Sequence, residues 1–113
     1  MNTLLVITNL PDRTTAEKMA RDLVERRLAA CVNLLAPCRS VYHWQGAVET
    51  ADEVPVFIKT TSERYPALQQ AILDSHPYEL PEIIAVPVTH GLGAYLDWVT
   101  QQTGDASKLT DIA

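Results

Sequence analysis

The chain has 113 residues, a net charge of -5 and a pI near 5.0. That is the size of one domain burying roughly two thirds of its unfolded surface, and the acidity argues against nucleic acid as a partner. Hydrophobic residues at 47% and charged ones at 20% fit an ordinary globular protein. Met1-Asn2-Thr3 leads directly into Leu4-Leu5-Val6-Ile7 with no basic segment or small-residue cleavage site. No apolar run approaches membrane-spanning length, so a cytoplasmic protein without membrane contact is expected. Cys31 and Cys38 match no common zinc spacing and are expected to be reduced and structural.

In chain order, Leu4 to Ile7 reads as a buried strand ending in the turn residues Asn9, Pro11 and Asp12. A helix follows, with Thr14 and Glu17 as a capping box or Asp12 as the cap. Ala16, Met19, Ala20, Leu23, Val24 and Leu28 form its inner face. Ala29 to Leu35 and Ser40 to Trp44 read as one long strand bent near Pro37. Gln45-Gly46 is the hairpin turn. The returning strand runs from Ala47 to Thr61, with Pro55 admissible only at an edge or a bulge.

A second helix begins with Ser62 as cap or Pro66 as first helical residue and ends at about Ser75. Pro77 forces His76 into extended geometry, and Pro81 does the same to Leu80. Between the prolines lies a stiff polar elbow. It leads into an apolar strand from Ile83 to Val88, a loop through His90, Gly91 and Gly93, and a last helix from Ala94 to Thr103. Gly104 to Ala113 reads as a frayed tail.

The order predicts an α+β, ferredoxin-like βαββαβ domain spanning 1–113. It has an antiparallel sheet, a long hairpin and an extra C-terminal helix. Two long helices cover one face of such a sheet. Leu4 to Ile7, Val56 to Ile58 and Ile83 to Val86 are nevertheless apolar at consecutive positions, the pattern of strands covered on both sides. Another subunit is therefore expected on the second face, with the hairpin through Trp44 and Gly46 reaching across to it.

Lys59 follows Val56-Phe57-Ile58 in a strand that otherwise reads as interior. It either extends its ammonium to solvent or joins Glu79, Tyr78 and Trp44 in a pocket between subunits for a small anion or carboxylate. His90 before Gly91 either orients a ligand or marks a turn. His76 beside Glu79 is the candidate metal ligand, against a structural histidine satisfied by backbone carbonyls. Copper heads the divalent affinity order, so nearly any exposed imidazole binds some of it. Glu49, Glu53 and Glu82 are expected to be solvated. The sequence has no nucleophile elbow and no P-loop, which argues against an enzyme.

Several segments carry a family resemblance: Arg27-Leu28-Ala29-Ala30-Cys31-Val32-Asn33, Tyr42-His43-Trp44-Gln45-Gly46, Ile58-Lys59-Thr60-Thr61, His76-Pro77-Tyr78-Glu79-Leu80-Pro81-Glu82-Ile83 and Pro87-Val88-Thr89-His90-Gly91. In order, and over nearly the whole chain, they resemble the CutA divalent-cation-tolerance family. The resemblance implies a trimer of ferredoxin-like subunits, similar in architecture to PII-type signalling proteins and linked to tolerance of copper and other divalent metals. Some relatives bind copper through a cysteine ending the first strand and a His-His pair before the Pro-Tyr of the elbow. Those positions are held here by Thr8, Ser75 and His76, so only His76 remains of that set.

The function expected is a homotrimeric, non-enzymatic divalent-cation (copper) tolerance scaffold. Its intersubunit pocket would comprise Lys59, Tyr78, Glu79, Trp44 and His90, with copper or another divalent cation at His76. The alternative is a PII-like adaptor whose hairpin contacts a partner protein.

Overall fold

The computed structural model describes residues 2–104. The elements are β1 (Thr3–Leu10), α1 (Arg13–Glu25), β2 (Cys31–Leu34), β3 (Cys38–Trp44), β4 (Ala47–Thr61), α2 (Tyr65–Ser75), β5 (Ile83–Pro87) and α3 (Gly93–Gln102). The five strands form one antiparallel sheet in the order β2-β4-β1-β5, with β3 also on β4. This is the ferredoxin-like plan with its second strand split. Residues 105–113 of the expected tail lie outside the described residues.

The helix boundaries follow local chemistry. Asp12 is extended, and its carboxylate accepts the Thr15 N–H at 2.8 Å, so Asp12 rather than Thr14 caps α1. Pro66 lies in the first turn of α2, where its missing N–H leaves no hydrogen bond unmade. Ala16, Met19 and Leu23 of α1 and Leu68, Ala71 and Ile72 of α2 pack on Val6, Leu10, Val54, Val56 and Ile58 of the sheet. Val24, expected on the inner face, is exposed instead; an apolar stripe of this width leaves its edge residues in water.

The split between β2 and β3 is a bulge. Leu34 is opposite Val56 and Cys38 is opposite Glu53, so Leu35, Ala36 and Pro37 face only Val54 and Pro55. Both prolines sit where the ladder is already interrupted, and the Pro55 carbonyl still accepts the Leu35 N–H at 2.9 Å. Beyond the bulge β3 and β4 run as a hairpin arm to a two-residue turn. There Gln45 (φ 50°) and Gly46 (φ 83°) both take the positive φ of a type I′ turn.

Register separates the two sheet faces. Leu4, Val6, Thr8, Val56, Ile58 and Thr60 face α1 and α2, whereas Leu5, Ile7, Phe57, Lys59, Ile84 and Val86 face the other way. The second face is not bare. α3 packs on β4 and β1, and Tyr95 of α3 stands against Cys31, which register assigns to that face. Val99 of the same helix is fully buried. The second face, where another subunit was expected, is thus partly covered by the chain's own last helix. The cover stops short of β5, where Ile84 and Val86 are 49% and 44% exposed.

Within the core, the Thr8 hydroxyl is fully buried and makes no hydrogen bond among the described residues. An orphaned hydroxyl carries a desolvation cost that a methyl group of similar size does not. Thr8→Val is expected to raise the unfolding free energy by about 1 kcal/mol, visible as a higher urea midpoint with unchanged slope. A lower midpoint would show that the hydroxyl is satisfied.

Candidate functional site

The site grows from the elbow that follows α2. His76 takes φ -77° and ψ 133°, as Pro77 demands, while its own N–H still closes the helix on the Ile72 carbonyl at 2.8 Å. Its ring then does two things at once. Nδ1 accepts the Tyr78 backbone N–H at 3.1 Å, so Nδ1 carries no proton and Nε2 must carry one. Nε2 accordingly donates to the Asn9 carbonyl at 2.7 Å. One neutral imidazole ties the elbow to the end of β1, and the Tyr78 ring packs beside it with centroids 4.8 Å apart.

Tyr78 in turn faces the hairpin arm. Burial of its phenol, then the neighbouring Glu53 carboxylate, push its pKa up to about 12. Glu53 is only 8% exposed, so the expectation that it is solvated is overturned. It occupies the first register position past the bulge, opposite Cys38, and the elbow closes over it. Glu82, at the far end of the elbow, accepts the Asn9 side-chain N–H at 3.3 Å.

Elbow and hairpin enclose a cleft of about 670 Å³. Pro77, Tyr78, Glu79 and Leu80 form one wall, and Tyr42, His43, Trp44 and Glu53 are among the residues of the other; Asn9 and Glu82 also line it. Trp44, Tyr78 and Glu79, predicted to meet, are therefore together. Lys59 and His90 do not line this cleft. Lys59 lies on the second sheet face opposite Leu5 and Cys31, and its ammonium donates to the Asn33 side-chain oxygen. His90 lies in the loop after β5, its Nδ1 hydrogen-bonded to the Thr89 hydroxyl at 3.1 Å.

The positions implied for copper are engaged otherwise. Thr8 is buried, the Ser75 hydroxyl donates to the Ala71 carbonyl at 3.1 Å, and both His76 nitrogens are used within the chain. Among the described residues no group of three or more His, Cys, Asp or Glu side chains is arranged to hold a metal ion. Tyr42, His43, Glu53 and Asn9 are cleft residues that the sequence reading missed. Part of the signal was present: a two-residue turn sets Trp44 opposite Ala47, and counting back by twos brings Tyr42 and Ser40 to the same face.

Comparison with known proteins agrees with this architecture. The family described as CutA1 divalent ion tolerance protein matches residues 4–102. The divalent-cation tolerance protein CutA of Thermus thermophilus is 41% identical over 100 residues, 88% of this chain and 97% of that protein. Protein CutA of Mus musculus is 46% identical over 98 residues, 87% of this chain but 55% of the mouse protein. The crystal structure of CutA from Xylella fastidiosa superposes with a TM-score of 0.89 at 40% identity, covering 92% of this chain and all of that one. A fold shared at this level of identity, together with a family match over residues 4–102, shows that the chain belongs to the CutA1 divalent ion tolerance family.

Proposed function

We propose that the protein acts in divalent-cation tolerance as a homotrimeric, non-enzymatic cytoplasmic scaffold that holds a small ligand in the cleft between hairpin and elbow. The observation that carries the assembly is the incompletely covered second sheet face. Ile84 and Val86 on edge strand β5 continue the apolar row of Leu5, Ile7 and Phe57 into solvent. Val41 and Val48, each 65% exposed, add apolar surface to the hairpin arm, the segment expected to reach a neighbouring subunit. The two free cysteines, Cys31 and Cys38, suit a reducing compartment. No helix of the described residues is long and apolar enough to cross a membrane.

His76 serves in this reading as a clasp rather than a metal ligand. A ligating imidazole needs a free lone pair on one nitrogen. Here the only lone pair faces the Tyr78 N–H. Copper or another divalent cation would have to displace that bond and loosen the elbow.

Sedimentation at micromolar concentration is expected to give the trimer mass, and Ile84→Glu, which puts a charge on the exposed apolar row, is expected to shift it towards monomer. A wild-type monomer would remove the proposed assembly. Calorimetric titration with copper and with zinc is expected to give the same isotherm for wild type and His76→Ala, while the variant loses about 1–3 kcal/mol of stability with its two hydrogen bonds. Stoichiometric metal binding abolished by the substitution would restore His76 as a ligand.

Tyr78 supplies a pH test. Its folded pKa, near 12, lies above the ordinary value of 10, so its contribution is intact below pH 10 and is lost as pH rises towards 12. The stability advantage of wild type over Tyr78→Phe should shrink across that window, by no more than ~1.4 kcal/mol per pH unit. Urea unfolding at pH 9, 10, 11 and 12 measures it; a constant difference would mean that the phenol is neither buried nor beside Glu53.

A further inference from the structure

We propose that the ligand of the cleft is a small organic cation with an ammonium head group. This rests on reading the cleft as the ligand site and adds the chemical class. The charges in the lining are of one sign: Glu53, Glu79 and Glu82 contribute carboxylates, and none of the lining residues is lysine or arginine. The lysine expected there is held by Asn33 on another face, so an anion or carboxylate would find no lysine or arginine of this chain in the cleft to offset its three carboxylates.

The carboxylates are accompanied by aromatic rings. Tyr42 and Trp44 from the hairpin and Tyr78 from the elbow line the same space. Aromatic faces beside carboxylates attract a diffuse cation, which gains from each face without shedding a tight hydration shell. A bare divalent ion needs converging hard or imidazole donors instead. No such group of three is present among the described residues. Glu53 adds a carboxylate that is largely withdrawn from bulk water and lies beside the Tyr78 phenol at the wall of the cleft. A volume of about 670 Å³ falls within the range of small-molecule sites.

The test uses the full chain and two probes of nearly equal shape: choline, and 3,3-dimethylbutan-1-ol, in which carbon replaces the charged nitrogen. Amide chemical shifts of Tyr78 and Glu79 report occupancy. Choline is expected to saturate these shifts with at least about tenfold higher affinity than the neutral isostere. Glu79→Gln, at an exposed position that leaves the fold intact, is expected to weaken choline severalfold and leave the isostere unchanged. Trp44→Leu is expected to weaken both, and Glu63→Gln, outside the cleft, neither. Equal affinity for the two probes, both lost in Trp44→Leu, would overturn the cationic class while retaining the cleft as a ligand site. Absence of binding by either probe would overturn the ligand-site reading with it.

Discussion

The His76 residue is the constraint on which the geometry of the elbow depends, because its hydrogen bonds join the end of α2, the elbow and the end of β1. Its backbone N–H ends α2, its Nδ1 receives the Tyr78 N–H, and its Nε2 reaches the carbonyl of Asn9 at the end of β1. Each bond is worth only about 1 kcal/mol net, but together they leave the ring one protonation state and one orientation. Pro77 supplies the complementary restriction by removing the helical alternative for His76. Tyr78 therefore arrives beside Glu53 by covalent and hydrogen-bonded constraint, and the cleft wall follows from its arrival.

Magnitudes separate what makes the fold from what makes the site. Val6, Leu10, Ile58, Leu68 and Ile72 are essentially fully buried, and each contributes roughly 1.5–3 kcal/mol by leaving water. These residues, rather than the clasp, are what bind the sheet to its two helices. The cleft has a different basis, because its second wall is an arm aimed by a bulge. Leu35, Ala36 and Pro37 against Val54 and Pro55 offset the pairing by one residue, and every side chain of β3 is placed by that offset. A hydrophobic core tolerates small shifts, whereas a site built from a turn and a bulge does not.

Elements whose signal is local were legible in the sequence. The extended His76, the bulged or edge position of Pro55, the Gln45-Gly46 turn and the stop of α2 at Ser75 all rest on the φ preferences of one or two residues. The α1 cap was legible only as a choice, because Asp12 and Thr14 both carry a suitable oxygen; the extended backbone of Asp12 makes it the cap. Glu53 was misread because a carboxylate in a polar segment is normally solvated. It lies instead beside Tyr78, a residue distant in sequence. Lys59 was read with Glu79 in a pocket between subunits; within the one chain, strand register puts it on the far side of the sheet from α1 and α2, where its ammonium donates to Asn33. Charge complementarity carries no information about which face of a strand a side chain occupies; parity along the strand does.

The same parity divides the surface into two kinds of work. Apolar side chains on the second face, from Leu5 through Ile84 and Val86, have nothing to offer a polar ligand and much to gain from another protein surface. The cleft has the opposite character: aromatic faces and carboxylates with no lysine or arginine to neutralise them. Its charge would repel a second acidic chain, and the net charge of -5 extends that repulsion to any close approach of two copies. Any association of two copies would therefore be driven by the apolar face. Under the proposed function, a cation in the cleft would lower the repulsion that opposes association, so occupancy and assembly would favour one another through screening.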